Sequence, residues 1–210
     1  MKELVLDFET IQCPKAKPLI PPMGPRDRSD PWEKLCFDPN FIQPCVAGFC
    51  TGDKCWSIGQ NDFAENSERQ LIQAVWDEIE TADKLITFNG WSFDIPLLMR
   101  RSWYLGVKPS RLLSLKKYEA GFHVDVRMVL GNWDTYAKGN MDLYGKLKLG
   151  IGKTSGVDGS QVQGMWNRGE YDAIHEYCRQ DCKVTYDLYQ SLKGWYINEP
   201  ARVTEEICEF

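Results

Sequence analysis

The chain has 210 residues, a formal net charge of −5, 43% hydrophobic residues and 26% charged residues. This balance suits one soluble globular domain, residues 1–210, with a sizeable core, and it excludes a low-complexity chain. No apolar run is long enough for a membrane span, and "MKELVLDFET" places acids where a signal peptide needs an unbroken apolar stretch. No membrane association is therefore expected. The eight cysteines form no tight framework and are expected as reduced thiols in a cytoplasmic protein; "CVAGFCTGDKC" contains no CxxC pair and reads as no zinc site. Taken alone, the negative charge speaks against a nucleic-acid partner.

"LVLDFET" (4–10) is an apolar run turning polar, the pattern of a buried strand that ends at a functional edge. Residues 11–44 carry eight of the eleven prolines and read as an irregular insertion, because proline suits neither helix interiors nor central strands. "PCVAGFC" and "KCWSIG" follow as two strands joined by a turn at "TGD". "SERQLIQAVWDEIETA" is an amphipathic helix, with Ser67 and Gln70 placed for a capping box and Leu71, Ile72, Val75, Trp76 and Ile79 on its apolar face. "KLITFNG" is a strand, "SFDIPLLMRRSWYLG" a helix, and "FHVDVRMVL" a strand entering a helical or irregular segment. "MDLYGKLKLGIG" is a helix stopped by glycine, and "KTSGVDGSQVQG" reads as a loop. The last helix is "AIHEYCRQDCKVTYDLYQSL" (173–192). Strands and helices alternate, which predicts an α/β fold: a mixed central sheet with helices on both faces and sites at strand ends.

The last helix contains an anomaly. Ile174, Cys178, Thr185, Leu188 and Leu192 form its core-facing stripe, and Asp181 falls on that stripe. A lone buried carboxylate is costly, so Asp181 requires a cationic partner. Asp7 and Glu9 are two apart on the first strand and share a face, opposite Leu4, Leu6 and Phe8. Asp94 begins a helix just after a strand. If these elements pack together, four carboxylates converge, and their mutual repulsion calls for hard divalent cations with oxygen ligands. Two Mg²⁺ or Mn²⁺ ions could activate a water and stabilise the leaving oxygen of a phosphodiester. Each acid also has an ordinary reading alone: Asp7 and Glu9 as a solvated strand end, and Asp94 as a helix cap.

"DFET", "FNGWSFDIPLL" and "YCRQD" resemble, in order, the three motifs of the DEDD superfamily of 3′–5′ exonucleases, which have a ribonuclease H-like fold. Tyr177-x-x-x-Asp181 matches the tyrosine branch. The histidine branch would place His where Glu176 stands, and His175 is one position off. Together with "LGIGKTSGVDGSQV", the chain resembles stand-alone exonucleases related to the proofreading domain of family B DNA polymerases. The resemblance covers nearly the whole chain; the departure is the proline-rich insertion. It implies that Asp7, Glu9, Asp94 and Asp181 are metal ligands for two Mg²⁺ or Mn²⁺ ions, and that Tyr177 orients the attacking water. The implied substrate is the 3′ end of single-stranded DNA or RNA, with DNA favoured. The alternatives are a non-catalytic nucleic-acid binder on the same fold and a ribonuclease H-like endonuclease.

Several further residues stand near these motifs. Asn89 either braces the site or binds the nucleic-acid substrate, or else shapes a turn with Gly90. Trp91 and Phe93 are candidate nucleic-acid contacts, with Trp91 either stacking on a base or serving as a packed indole. Asp125 in "HVDVR" is expected to support the site rather than bind metal, and His123 reads as a strand residue. "GIGKT" is not a phosphate loop, because Leu147 occupies the position that needs glycine. "RRSWYLGVKPSRLLSLKK" (100–117) holds six basic residues and no acid, so Arg100 and Arg101 either track a phosphate backbone or belong to a solvated face. If metal neutralises the four acids, the net charge moves from −5 to −1 and the objection to nucleic acid weakens.

Overall fold

The computed structural model describes residues 1–20, 35, 37–52, 54–114, 116, 118, 121–151 and 159–199. Much of the expected insertion, the first half of "KTSGVDGSQVQG", and Leu115 and Lys117 of the basic segment lie outside these residues.

Five strands form one mixed sheet: β1 (Glu3–Gln12), β2 (Ile42–Cys50), β3 (Cys55–Gly59), β4 (Lys84–Thr87) and β5 (His123–Asp125), in the order β3-β2-β1-β4-β5. β2 pairs antiparallel with β1 and β3, whereas β4 runs parallel to both β1 and β5. Helices cover both faces, as the interleaved pattern predicts. On one face, α1 (Glu68–Glu80) and α2 (Asp94–Leu105) pack Leu71, Ile72, Val75, Trp76, Leu97 and Leu98 against Leu4, Leu6, Phe8 and Phe49. Ser67 caps α1 by accepting the Gln70 N–H at 3.3 Å. After the short α3 (Val126–Leu130), the other face carries α4 (Met141–Leu149), α5 (Val162–Asn167) and the long α6 (Tyr171–Leu192). The architecture is α/β and ribonuclease H-like. Among the described residues, no helix is long and apolar enough to cross a membrane.

The structure corrects three expectations. First, the irregular stretch is shorter than 11–44: β1 continues through Gln12 and β2 begins at Ile42. Pro44 is tolerated inside β2 because the register shifts between Glu9 and Thr10, leaving Cys45 as the extra residue of a bulge. Second, α5 begins at Val162, within the last three residues of what reads as loop. Its only buried residues, Val162 and Met165, are too few to make a periodic pattern. Third, Cys50 and Cys55 are joined as a disulfide rather than standing as reduced thiols, because the hairpin register sets them directly opposite each other. Cys13, Cys45, Cys178 and Cys182 are free and buried.

One close approach places α6. Gly48 lies opposite Asp7 in the β1–β2 ladder. A Cβ there would stand 2.7 Å from the Cys178 sulfur, 2.8 Å from the Cys182 sulfur and 3.0 Å from the Cys178 carbonyl oxygen. The helix carrying Tyr177 and Asp181 therefore rests directly on backbone. Gly48→Ala should lift α6 from the sheet and cost about 1–3 kcal/mol, the usual range for overpacking. Chemical denaturation would measure this; unchanged stability would show that the packing there is loose.

Candidate active site

The site forms where β1 outruns β4. Parallel pairing stops at Val5–Ile86, and the chain leaves β4 at Thr87, so β1 from Leu6 onward has an open edge on that side. Asp94 fills it: its Oδ1 accepts the Phe8 backbone N–H at 3.0 Å. Asp94 is therefore not the cap of α2. Phe93 occupies the N-cap position and makes no side-chain capping bond. The hydrogen bond across to β1 brings the Asp94 carboxylate beside Asp7.

Asp7 and Glu9 point from β1 toward α6, with Asp7 half-buried and Glu9 buried. Ligand atoms of Asp7, Glu9 and Cys178 lie within 4.8 Å of one another. Asp181, 7% exposed, reaches the same place from α6. Burial holds the Asp7 pKa well above the ordinary carboxylate range, and the nearby Asp94, Cys182, Glu9 and Asp181 add to the rise. All of these influences oppose a charge on Asp7. Burial likewise pushes Asp94 up to about 7, helped by Asp125 and opposed by the Phe8 N–H. Clustered oxygen donors whose ionisation is mutually penalised fit a hard divalent cation, which would favour the charged forms.

Tyr177 precedes Asp181 by one helical turn and is 6% exposed. Burial and the charges of Asp181, Glu9 and Asp7 raise its pKa far above the ordinary phenol value, and its hydroxyl hydrogen-bonds to Asp181. The group stays protonated and acts as a donor. His175 is turned toward β3 instead, with Nδ1 2.9 Å from Ser57 Oγ and Nε2 3.2 Å from Asn61 Oδ1. His123 sits on β5 bonded to Thr87 at 2.9 Å, and burial lowers its pKa to about 4, so it is a neutral strand residue.

Asp125 ties the β4–α2 loop. Its Oδ1 accepts the Asn89 N–H at 3.0 Å and the Met128 N–H at 3.1 Å, and its Oδ2 accepts the Trp91 N–H at 2.8 Å. Asn89 adopts the left-handed conformation (φ 68°), and its side-chain oxygen accepts from Arg127 Nη1 at 3.0 Å. Asn89 thus does both jobs, shaping the turn and bracing it. Trp91 and Phe93 are half-buried on this loop, and the Phe93 ring meets Phe37 edge-on at 6.1 Å. Gly90 packs against Thr87, where a Cβ would come within 2.3 Å of its hydroxyl oxygen.

The structure gathers Asp7, Glu9, Asp94, Tyr177 and Asp181 in one place and sets Asn89, Trp91 and Phe93 on the adjoining loop. It does not bring Arg101 to a surface track. Arg101 is 4% exposed and paired with Glu68 through Nε at 2.5 Å and Nη2 at 2.7 Å, so the expectation of a backbone contact there is corrected. The cause is helical phase: Arg101 falls on the side of α2 that packs on α1. Arg100 is half-exposed one position earlier. Sequence reasoning missed Cys178 beside Asp7, with its sulfur 3.8 Å from Oδ2, because a cysteine on an apolar stripe reads as core. It also missed Arg127, whose signal was its place two residues after Asp125.

Three comparisons with known proteins bear on this geometry. Residues 40–197 match a family model described as "Predicted 3'-5' exonuclease related to the exonuclease domain of PolB". The chain is 27% identical over 135 residues to DNA polymerase 1 of Sulfurisphaera ohwakuensis, covering 58% of this chain and 15% of the polymerase. It is 28% identical over 144 residues to a DNA polymerase of Pyrococcus glycovorans, covering 59% of this chain and 18% of that protein. It thus matches less than a fifth of either polymerase. The structure of the family B DNA polymerase from Pyrobaculum calidifontis superposes over 90% of this chain and 24% of its own, with a TM-score of 0.65 at 16% identity, a likeness of fold. With most of its length matched by the family model, the chain belongs to the family of predicted 3′–5′ exonucleases related to the exonuclease domain of PolB.

Proposed function

We propose that the protein is a metal-dependent 3′–5′ exonuclease that hydrolyses single-stranded nucleic acid from its 3′ end. The observation that carries this reading is the meeting of Asp7, Glu9, Asp94 and Asp181 with the Tyr177 hydroxyl at the open edge of β1. The four carboxylates would hold two Mg²⁺ or Mn²⁺ ions, which supply an acidified water and charge stabilisation at the leaving oxygen. DNA is the favoured substrate because the relatives are DNA polymerases.

The chain's own groups divide the remaining work. Tyr177, held protonated, would turn its one O–H from Asp181 to the attacking water and orient it, while Asp94 and Asp181 would serve as ligands from α2 and α6. Water oxygen bonds to the terminal phosphorus as the bond to the preceding 3′ oxygen breaks. A nucleoside 5′-monophosphate leaves, and a shortened strand keeps a free 3′ hydroxyl. The complete acid set argues against a purely binding role. A closed circular substrate separates this reading from an endonuclease, which alone could cut it.

Asp7→Ala or Asp181→Ala should lower shortening of a 5′-labelled oligomer by orders of magnitude without unfolding the chain, and EDTA should do the same. Substantial activity in EDTA would sink the metal reading. Tyr177→Phe removes one oxygen and no charge, so single-turnover rates should fall strongly while Mn²⁺ affinity changes little. A wild-type rate in that variant would make Tyr177 a packing residue.

The pKa of Asp94 gives a readout independent of activity. It is about 7 in the folded chain against an ordinary 3.8, so the metal-free folded state binds more protons than the unfolded state between about pH 4 and 7. Raising pH through that window should therefore cost stability. Mg²⁺ or Mn²⁺ would take the place of those protons, and should raise the melting temperature more at pH 8 than at pH 5. Equal shifts at both pH values, or none, would contradict the assignment of Asp94 as a ligand.

A further inference from the structure

The basic segment after α2 leads away from the acids. α2 starts at Asp94 and rises about 1.5 Å per residue, and beyond it the chain folds onto α1, with Ser110 bonded to the Trp76 carbonyl and Arg69 to that of Leu105. A different surface adjoins the site. Between α3 and α4 lies a cleft of about 800 Å³ whose lining includes Arg127, Tyr136, Lys138, Asn140, Asp142 and Lys146. Its wall is fastened to the active-site loop by one side chain. Arg127 donates to Asn89 Oδ1 at 3.0 Å and to the carbonyls of Thr135 and Ala137 at 3.4 Å each. Asn89 in turn hangs from Asp125, whose charge acts on Asp94. The cleft and the acid cluster thus share one brace.

Resting on the exonuclease reading, we infer that this cleft is where single-stranded nucleic acid lies as it approaches the acids, with its phosphates on Lys138 and Lys146 and a base on the Tyr136 ring. Three cations face one carboxylate there, in a chain whose net charge is −5. Lys138 is exposed. Lys146 is also exposed and, among the described residues, pairs with Asp142 on its own helix at 2.7 Å, a pair weak enough for a phosphate to displace. Tyr136 is 88% exposed, a large ring without cover that offers the face on which any base can stack. Phosphate contacts with an aromatic platform are the combination that binds single strands without regard to sequence. Arg127 is a positioning residue, since its guanidinium joins the two surfaces.

The test is fluorescence anisotropy of a labelled oligothymidylate with the full chain in EDTA, where no metal-dependent cleavage occurs, titrated with NaCl. The variants are Lys138→Glu with Lys146→Glu, Tyr136→Ala and, as a single charge-reversal control on the rival surface, Lys108→Glu, each checked by circular dichroism. The double reversal should weaken binding at least tenfold and reduce the salt slope by about 0.7 for each phosphate that is no longer neutralised. Tyr136→Ala should weaken it about tenfold with the slope unchanged, and Lys108→Glu should change neither. Wild-type affinity and slope in the double variant, an equal weakening in Lys108→Glu, or no binding by the wild type would each overturn the inference. Its failure is separable from failure of the exonuclease reading. If the wild type binds but does not shorten the oligomer in Mn²⁺, the cleft stands and the exonuclease falls. If the double variant binds and shortens as the wild type does, the cleft falls and the exonuclease stands.

Discussion

The Asp94 carboxylate accepts the backbone N–H of Phe8, and the rest of the site depends on that bond. A strand edge left open in a sheet must satisfy its donors elsewhere. Here the donor is met by the first residue of α2, which docks the helix start against β1 and sets a carboxylate beside Asp7 and Glu9. The same hydrogen bond favours ionised Asp94, while burial and Asp125 oppose it. Folding thus concentrates acid at one point and leaves its charge only partly compensated. Such a centre is costly by itself, and a divalent cation among the carboxylates would relieve that cost.

The second support is α6. It lies against β1 and β2 at a point where only glycine fits, and Gly48 lets the Cys178 and Cys182 sulfurs reach the strand backbone. This close approach delivers Asp181 and Tyr177 to the carboxylates on β1. A bulge at Cys45 sits on the neighbouring strand, and its thiol donates to the Glu9 carbonyl at 3.3 Å. Asp125 steadies the loop before α2 through backbone donors, the sort of bracing that keeps a site within fractions of an ångström of its working geometry. Beyond α6, buried Lys193 is paired with Glu3, closing the chain onto the start of β1.

Much of this is legible in residue patterns. Alternation of strand and helix signals yields the layered architecture, and the period of the α6 stripe exposes Asp181 as a carboxylate in a core position. Helical phase equally turns Arg101 toward α1, but a run of like charges reads as surface as long as its partner Glu68, thirty-three residues away, is out of view. The disulfide between Cys50 and Cys55 depends on hairpin register, which residue spacing leaves open by a residue or two. Short α5 carries too few apolar residues to show a period. The Asp94 bond to Phe8 joins residues eighty-six apart, and propensity instead favours a local helix cap.

The central claim is that these carboxylates form one metal centre, and crystals grown with Mn²⁺ test it most directly by anomalous diffraction. Manganese peaks should appear among the carboxylates of Asp7, Glu9, Asp94 and Asp181, and be absent or weakened in Asp181→Asn crystals of the same form. Well-ordered carboxylates with no manganese among them at saturating metal would contradict the claim.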